Sequence, residues 1–233
     1  MEKFFTIIGG MGTMATQSYI RLLNQQTNAK CDQDYLNYIL VNHASIPDRT
    51  AYILDQTKPN PLKPLLEDFK QQSKLKPAFF TLPCNTAHYF YDEITKVTDI
   101  PIIHMPKETV KEIKNLYPHA KRIGLLATKG TLNDGVYDRE ILNQGYELVK
   151  PSPEIAQKTS KLIYQDIKEN DYVDAELFKE IVISMLEEFS CDVVILGCTE
   201  LSLAKEVCPL DLPIVDSQET LVKRTLEWAK KLC

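Results

Sequence analysis

Two short stretches hold residues suited to chemistry. Leu82-Pro83-Cys84-Asn85-Thr86-Ala87-His88 and Leu196-Gly197-Cys198-Thr199-Glu200-Leu201 each put a cysteine at the end of an apolar run, where a buried strand should stop and a helix begin. A free cysteine is among the most buried residue types, so packing alone accounts for either one. Position argues for more, because a helix N-terminus favours the thiolate. Two thiols that converge on one cavity can take a proton from one face of a carbon and return one to the other. Cys31, Cys191, Cys208 and Cys233 lack such a setting and read as packing or surface residues.

Around the thiols, Asn85, Thr86 and Thr199 are good helix caps. The same side chains and the free backbone N–H groups beside them can also hold an anion. Glu200 in a first helical turn is accounted for by the helix dipole and is assigned no chemistry. Gly9-Gly10-Met11-Gly12 reads as a tight turn that lets backbone approach something small, making Gly10 and Met11 candidate substrate contacts, and Thr131 sits in the corresponding loop of the second half. Arg49, in Ile46-Pro47-Asp48-Arg49-Thr50, carries a fork suited to a carboxylate. The histidines at 43, 88, 104 and 119 are scattered, and His88, one turn after Cys84, reads as helix surface or core. The glycine loop is neither GxGxxG nor a P-loop, and no CxxC spacing marks a zinc site, so no cofactor and no metal are expected.

These residues need elements to position them, and those elements recur. Ile7-Ile8-Gly9-Gly10-Met11-Gly12-Thr13 matches Leu125-Leu126-Ala127-Thr128-Lys129-Gly130-Thr131 at a shift of 118, Cys84 matches Cys198 at 114, and Ile100-Pro101-Ile102-Ile103 matches Leu212-Pro213-Ile214-Val215 at 112. Three landmarks in the same order point to a duplicated α/β unit. Strands are expected over 6–8, 38–41, 78–82, 100–103, 123–127, 146–149 and 193–196. Helices are expected over 15–23, 62–69, 134–142, 155–167 and 175–189. Short apolar strands alternating with helices imply parallel sheets covered by helices, with ligands outside the carboxyl ends of the strands.

Composition limits the partners. The 233 residues are 44% hydrophobic and 25% charged, as in ordinary globular proteins, and the net charge of −5 with no basic cluster argues against nucleic acid. No apolar run is long enough for a bilayer, and the start is too soon broken for a signal peptide, so no membrane partner, a cytoplasmic location and reduced thiols are expected.

The combination of Gly9-Gly10-Met11-Gly12, Ile46-Pro47-Asp48-Arg49-Thr50, Pro83-Cys84-Asn85-Thr86-Ala87-His88, Leu126-Ala127-Thr128-Lys129-Gly130-Thr131 and Gly197-Cys198-Thr199-Glu200 resembles the aspartate racemases of the aspartate/glutamate racemase family. The match runs in order from residue 7 to about 217. The resemblance implies a cofactor-independent, homodimeric enzyme of two pseudo-symmetric α/β domains, with its active site in the cleft between them. The C-terminal segment would return to the first domain, giving 1–106 plus 210–233 and 107–209. It further implies that Cys84 and Cys198 are the catalytic pair, that Asp48 and Arg49 clamp the substrate, and that Lys168 binds it. Two departures stand out. Thr13 occupies the place where relatives commonly have proline, an alternative way to start the helix, and Glu200-Leu201-Ser202 stands where the glutamate branch has His-Tyr-Pro.

By that resemblance the expected substrate is aspartate. One cysteine would remove the α-hydrogen and the other protonate the opposite face, while Asn85, Thr86, Thr199 and nearby N–H groups stabilise the charge on the α-carboxylate. Arg49 and Lys168 would take the side-chain carboxylate. Three rivals stay open: a relative acting on glutamate or another small acid, a non-catalytic acid-binding protein, and a one-cysteine hydrolase with His88 as base to Cys84.

Overall fold

The computed structural model describes residues 3–232, so Cys233 and the first two residues lie outside the described residues. In chain order the elements are β1 (Phe5–Gly9), α1 (Thr13–Gln26), β2 (Tyr38–Asn42), α2 (Arg49–Leu54), α3 (Leu62–Ser73), β3 (Phe80–Thr81), α4 (Tyr91–Thr95), α5 (Met105–Leu116), β4 (Arg122–Ala127), α6 (Lys129–Asp134), α7 (Val136–Asn143), β5 (Glu147–Val149), α8 (Pro153–Ser160), α9 (Ala175–Glu187), β6 (Val193–Gly197), α10 (Thr199–Val207), β7 (Ile214–Asp216) and α11 (Ser217–Leu232). Short 3-10 helices span Asp32–Asp34 and Thr86–Phe90, and a π-helix spans Lys161–Glu169.

The chain divides into two units, Met1–Met105 with Gln218–Cys233, and Pro106–Ser217. The first holds a parallel sheet of order β2-β1-β3; the second holds a parallel sheet of order β5-β4-β6-β7. The expected strand over 100–103 is reduced to one parallel bridge, Phe80 to Ile102, fixed by Phe80 N donating to Pro101 O at 2.8 Å and Ile103 N donating to Phe80 O at 3.0 Å. With that bridge as a fourth member, both sheets run in the same order. The matching segment, Leu212-Pro213-Ile214-Val215, does form a strand: β7 pairs with β6 through Val194–Ile214 to Leu196–Asp216. That pairing keeps residues 210–217 in the second unit, so the chain returns to the first at Gln218 rather than at 210.

The strands β1, β4 and β6 are buried on both faces, as their apolar residues at consecutive positions require. Ile7 packs with Phe5, Tyr19, Leu23, Phe79, Leu221 and Val222, whereas Ile8 faces the other way toward Leu65, Phe69, Leu82 and Phe90. In the second unit Leu125, Val193 and Ile195 pack with Ile113 and Tyr137, and Leu126, Val194 and Leu196 pack with Phe178, Ile181 and Met185. Each such side chain contributes about 1.5–3 kcal/mol by leaving water, which outweighs weak helix and strand propensities.

Several elements differ from the expected spans. The helix expected over 134–142 is two, α6 and α7, broken at Gly135, whose φ of +74° ends the first. The helix expected over 155–167 is α8 followed by the π-helix. Thr13 is the first residue of α1, not its cap; the preceding position is Gly12.

Candidate active site

In the first unit the chain leaves β1 through a loop only glycine can make. Gly10 has φ of +90°, and a Cβ there would lie 2.6 Å from the His43 backbone. Its N–H donates to Thr16 Oγ1 at 3.1 Å, and that hydroxyl donates to Gly12 O at 2.8 Å, so α1 holds the loop from one side. Arg49 holds it from the other. The buried guanidinium donates to Met11 O at 3.1 Å, Pro47 O at 3.1 Å and Ile46 O at 3.3 Å. Its buried Nε has no hydrogen-bond partner among the described residues. Asp48 caps α2, accepting from Ala51 N at 2.7 Å, and is exposed. At the end of β2, His43 Nδ1 lies 2.7 Å from Asp68 Oδ2.

Beyond β3, Cys84 N donates to Leu82 O at 2.8 Å, a tight turn about Pro83 that places Cys84 in the core patch shared by Ile8, Met11, Ile46 and Ala87. The thiol is 5% exposed. Asn85 and Thr86, both buried, open a 3-10 helix, so the element after Cys84 is a single tight turn and then the short α4 rather than one α-helix. His88 secures this turn. Its Nε2 accepts the Met105 N–H at 3.1 Å, so Nδ1 carries the proton and donates to Cys84 O at 2.8 Å. Burial pushes its imidazole down to about 4, keeping it neutral. With both nitrogens spent on backbone, His88 is not available as the base a one-cysteine hydrolase needs.

In the second unit, Thr128 caps α6 by accepting from Thr131 N at 3.1 Å, and its hydroxyl meets Thr131 Oγ1 at 3.2 Å. β4 and β6 lie side by side with Ala127 opposite Gly197, so the Thr131 turn and Cys198 leave adjacent strand ends. Cys198 is 5% exposed and precedes α10, a helix of nine residues. Its Sγ donates to Glu200 Oε2 at 2.9 Å, which Thr199 Oγ1 also approaches at 3.4 Å. Glu200 Oε1 lies 3.4 Å from Lys168 Nζ, and that ammonium stands 4.9 Å over the Tyr164 ring. Burial first, and then the Glu200 charge, push the Cys198 thiol well above its ordinary range, while Lys168 opposes them.

The strand ends of each unit therefore gather the candidate residues in two sets. Gly10, Met11, Arg49, Cys84, Asn85 and Thr86 belong to the first unit; Thr131, Lys168, Cys198 and Thr199 belong to the second. The Asp/Glu/Hydantoin racemase pattern matches residues 8–225, which takes in every one of them. The chain belongs to the Asp/Glu/hydantoin racemase family. Its relatives are isomerases, and this protein stands among the isomerases with them. The broad specificity amino-acid racemase RacX of Bacillus subtilis (strain 168) is 27% identical over 94% of this chain and 95% of its own length. The aspartate racemase of Picrophilus torridus is 27% identical with a TM-score of 0.81, covering 98% of this chain and 94% of that one. The glutamate racemase of Francisella tularensis, solved with D-glutamate, has 21% identity and a TM-score of 0.68 over 99% of this chain and 82% of its own, a likeness of fold alone.

Against this family background the residue missed by sequence reasoning is Glu200. Its place in a first helical turn suits the helix dipole, yet the carboxylate is buried and bonded to the thiol two residues earlier. The usable signal was the repeat itself: at the cysteine offset of 114, Glu200 falls on Thr86, so one half carries an acid where the other is neutral. Among the described residues no group of three or more His, Cys, Asp or Glu is placed to hold a metal ion, and no helix is long and apolar enough to cross a membrane.

Proposed function

We propose that the protein interconverts L- and D-aspartate without a cofactor, with Cys84 and Cys198 as its two acid–base groups. The observation that carries this reading is the repeated placement of a buried cysteine after the third strand of each unit, β3 and β6. In one direction a thiolate takes the α-hydrogen, forming S–H as the Cα–H bond breaks. The negative charge passes onto the α-carboxylate, and the other thiol gives its proton to the opposite face. Asn85, Thr86, Thr199 and the N–H groups of their turns would hold that charge in place. Arg49 and Lys168 would receive the distal carboxylate, with Gly10, Met11, Asp48 and Thr131 completing the walls. The partnerless Nε of Arg49 supports its part, since a buried donor gains by meeting an anion. The expected assembly is a homodimer, checked by sedimentation velocity.

A second reading, racemisation of many amino acids, is favoured by the full-length likeness to the Bacillus subtilis protein and by one piece of geometry. Arg49 spends three bonds on backbone carbonyls and Lys168 is paired with Glu200, so both cations are already engaged. Chiral chromatography after incubation with a panel of L-amino acids in deuterated water separates the readings. Aspartate specificity expects kcat/KM for aspartate to exceed that for glutamate by about a hundredfold or more, because a shift near 1 Å in a reacting group costs about that much. Comparable rates across the panel support broad specificity. Inverted aspartate without deuterium at Cα would sink the two-thiol mechanism.

A further inference from the structure

We propose that Glu200 is a positioning residue that fixes where the proton of the catalytic pair rests: on Cys198, held between Sγ and a carboxylate that Lys168 anchors from its other side. The inference rests on the two-thiol reading and adds an inequality to it. Cys198 Sγ donates to Glu200 Oε2 at 2.9 Å, Glu200 Oε1 meets Lys168 Nζ at 3.4 Å, and the Tyr164 ring lies 4.9 Å beneath that ammonium. Glu200 and Cys198 are 4% and 5% exposed, so little water screens the contact. The first unit has nothing equivalent. Thr86 occupies the matching position, and among the described residues no carboxylate bonds to the Cys84 thiol.

The chemistry follows from charge. A thiolate at Cys198 would sit hydrogen-bond distance from a carboxylate, and like charges so close and so buried disfavour each other. Cys198 therefore starts a turnover as the donor and Cys84 as the acceptor. When Cys198 gives its proton to the substrate carbon, the S–H bond breaks as the new Cα–H bond forms, and the sulfur is left as thiolate. Lys168 then compensates two negative groups instead of one. Cys84 then releases to solvent the proton it took from the substrate, and a proton from solvent, taken up on Glu200 Oε2 and passed to Sγ, restores the resting pair. Among the described residues of the second unit, Lys168 from the π-helix and Thr199 from α10 itself meet this pair. Asp216 on β7 is turned to the Ser202 hydroxyl at 2.7 Å, and α9 and β6 contribute apolar side chains to the surrounding cluster.

The test follows each thiol directly. With cysteine carrying carbon-13 at Cβ, the Cys84 and Cys198 signals, assigned from Cys84→Ala and Cys198→Ala, are titrated by NMR in the parent and in Glu200→Gln. The glutamine keeps the shape and removes the charge. The expected result is a fall of at least about one pH unit in the Cys198 midpoint, the equivalent of a tenfold change in its thiolate fraction, with the Cys84 midpoint unmoved. Racemisation should lose about tenfold or more in kcat with a smaller change in KM, and Glu200→Asp should recover part of it. An unmoved Cys198 midpoint overturns the proposal whether or not the protein racemises anything. If the midpoint falls but the parent racemises no acid, the contact stands and the proposed function fails. Should Glu200→Gln not fold, Lys168→Met serves: removing the cation should raise the Cys198 midpoint, and no rise overturns the proposal.

Discussion

The turn that carries Cys84 and the turn that carries Cys198 leave equivalent strands, yet different bonds secure them. The first is tied through backbone, by the Pro83 turn and by His88 bridging Cys84 O and Met105 N. The second is tied through side chains, Cys198 to Glu200 to Lys168, and Ser202 to Asp216. The place of each thiol is repeated while its bonds differ: backbone contacts secure one, and a carboxylate with an ammonium behind it meets the other. A reaction that needs two groups in opposite protonation states gains from such an inequality, because identical surroundings would leave the proton with no preferred home.

The comparison breaks first at the thiols. Cys84→Ser and Cys198→Ser should each lower racemisation by at least about a thousandfold, serine being a far weaker base than a thiolate, while circular dichroism stays native. Near-normal turnover in either variant would show that only one turn is chemical. Next come the residues four positions on. His88→Leu strands a buried acceptor and a buried donor and should cost about 3–5 kcal/mol in urea unfolding; Ser202→Ala removes one bond to a carboxylate and should cost about 1–3 kcal/mol. Equal costs would mean that the two turns are secured alike after all.

Acidity sharpens the contrast. His88 is held near 4 in the folded chain and is about 6.5 when unfolded, so the unfolded state binds more protons between those values. Its contribution to stability is complete above pH 6.5 and is lost as pH falls toward 4, about 3 kcal/mol in all. His88→Gln should flatten that part of the stability curve, and a curve of unchanged slope would remove His88 from the account. Asp134 acts in the opposite sense. Burial, reinforced by Asp138, lifts its carboxyl to about 7, so folding is opposed increasingly as pH rises from 3.8 through 7. Asp134→Asn should raise the melting temperature at pH 8 and leave it unchanged at pH 4, and a rise equal at both would point to a cause other than charge.

Much of the framework could be read from sequence because fully buried parallel strands are continuous apolar runs. Phe5–Gly9, Arg122–Ala127 and Val193–Gly197 stand out for that reason, and their ends locate the glycine loop, the Thr131 turn and Cys198. What stayed hidden depends on pairing or on side-chain direction. Leu212-Pro213-Ile214-Val215 is as apolar as Ile100-Pro101-Ile102-Ile103, and only its register with Val194–Leu196 reveals that it closes the second sheet. Lys168 lies on a π-helix, whose wider turn no apolar period announces. Glu200 looked like a charge placed for a helix dipole; that its carboxylate folds back onto Cys198 is a matter of rotamer and burial, which spacing does not encode.

The crossing of the chain between units has a consequence for birth on the ribosome. The inner layer of the first unit, with Phe5, Ile7, Tyr19 and Phe79, is closed by Leu221, Val222 and Ala229 of α11, and the Tyr19 hydroxyl meets Thr225 Oγ1 at 2.6 Å. More than a hundred residues separate Met105 from that helix, roughly 5–20 s of translation at about 5–20 residues per second. The second unit, drawn from one unbroken stretch, has all its partners first. The earlier-made half must wait with an aromatic layer uncovered until α11 emerges.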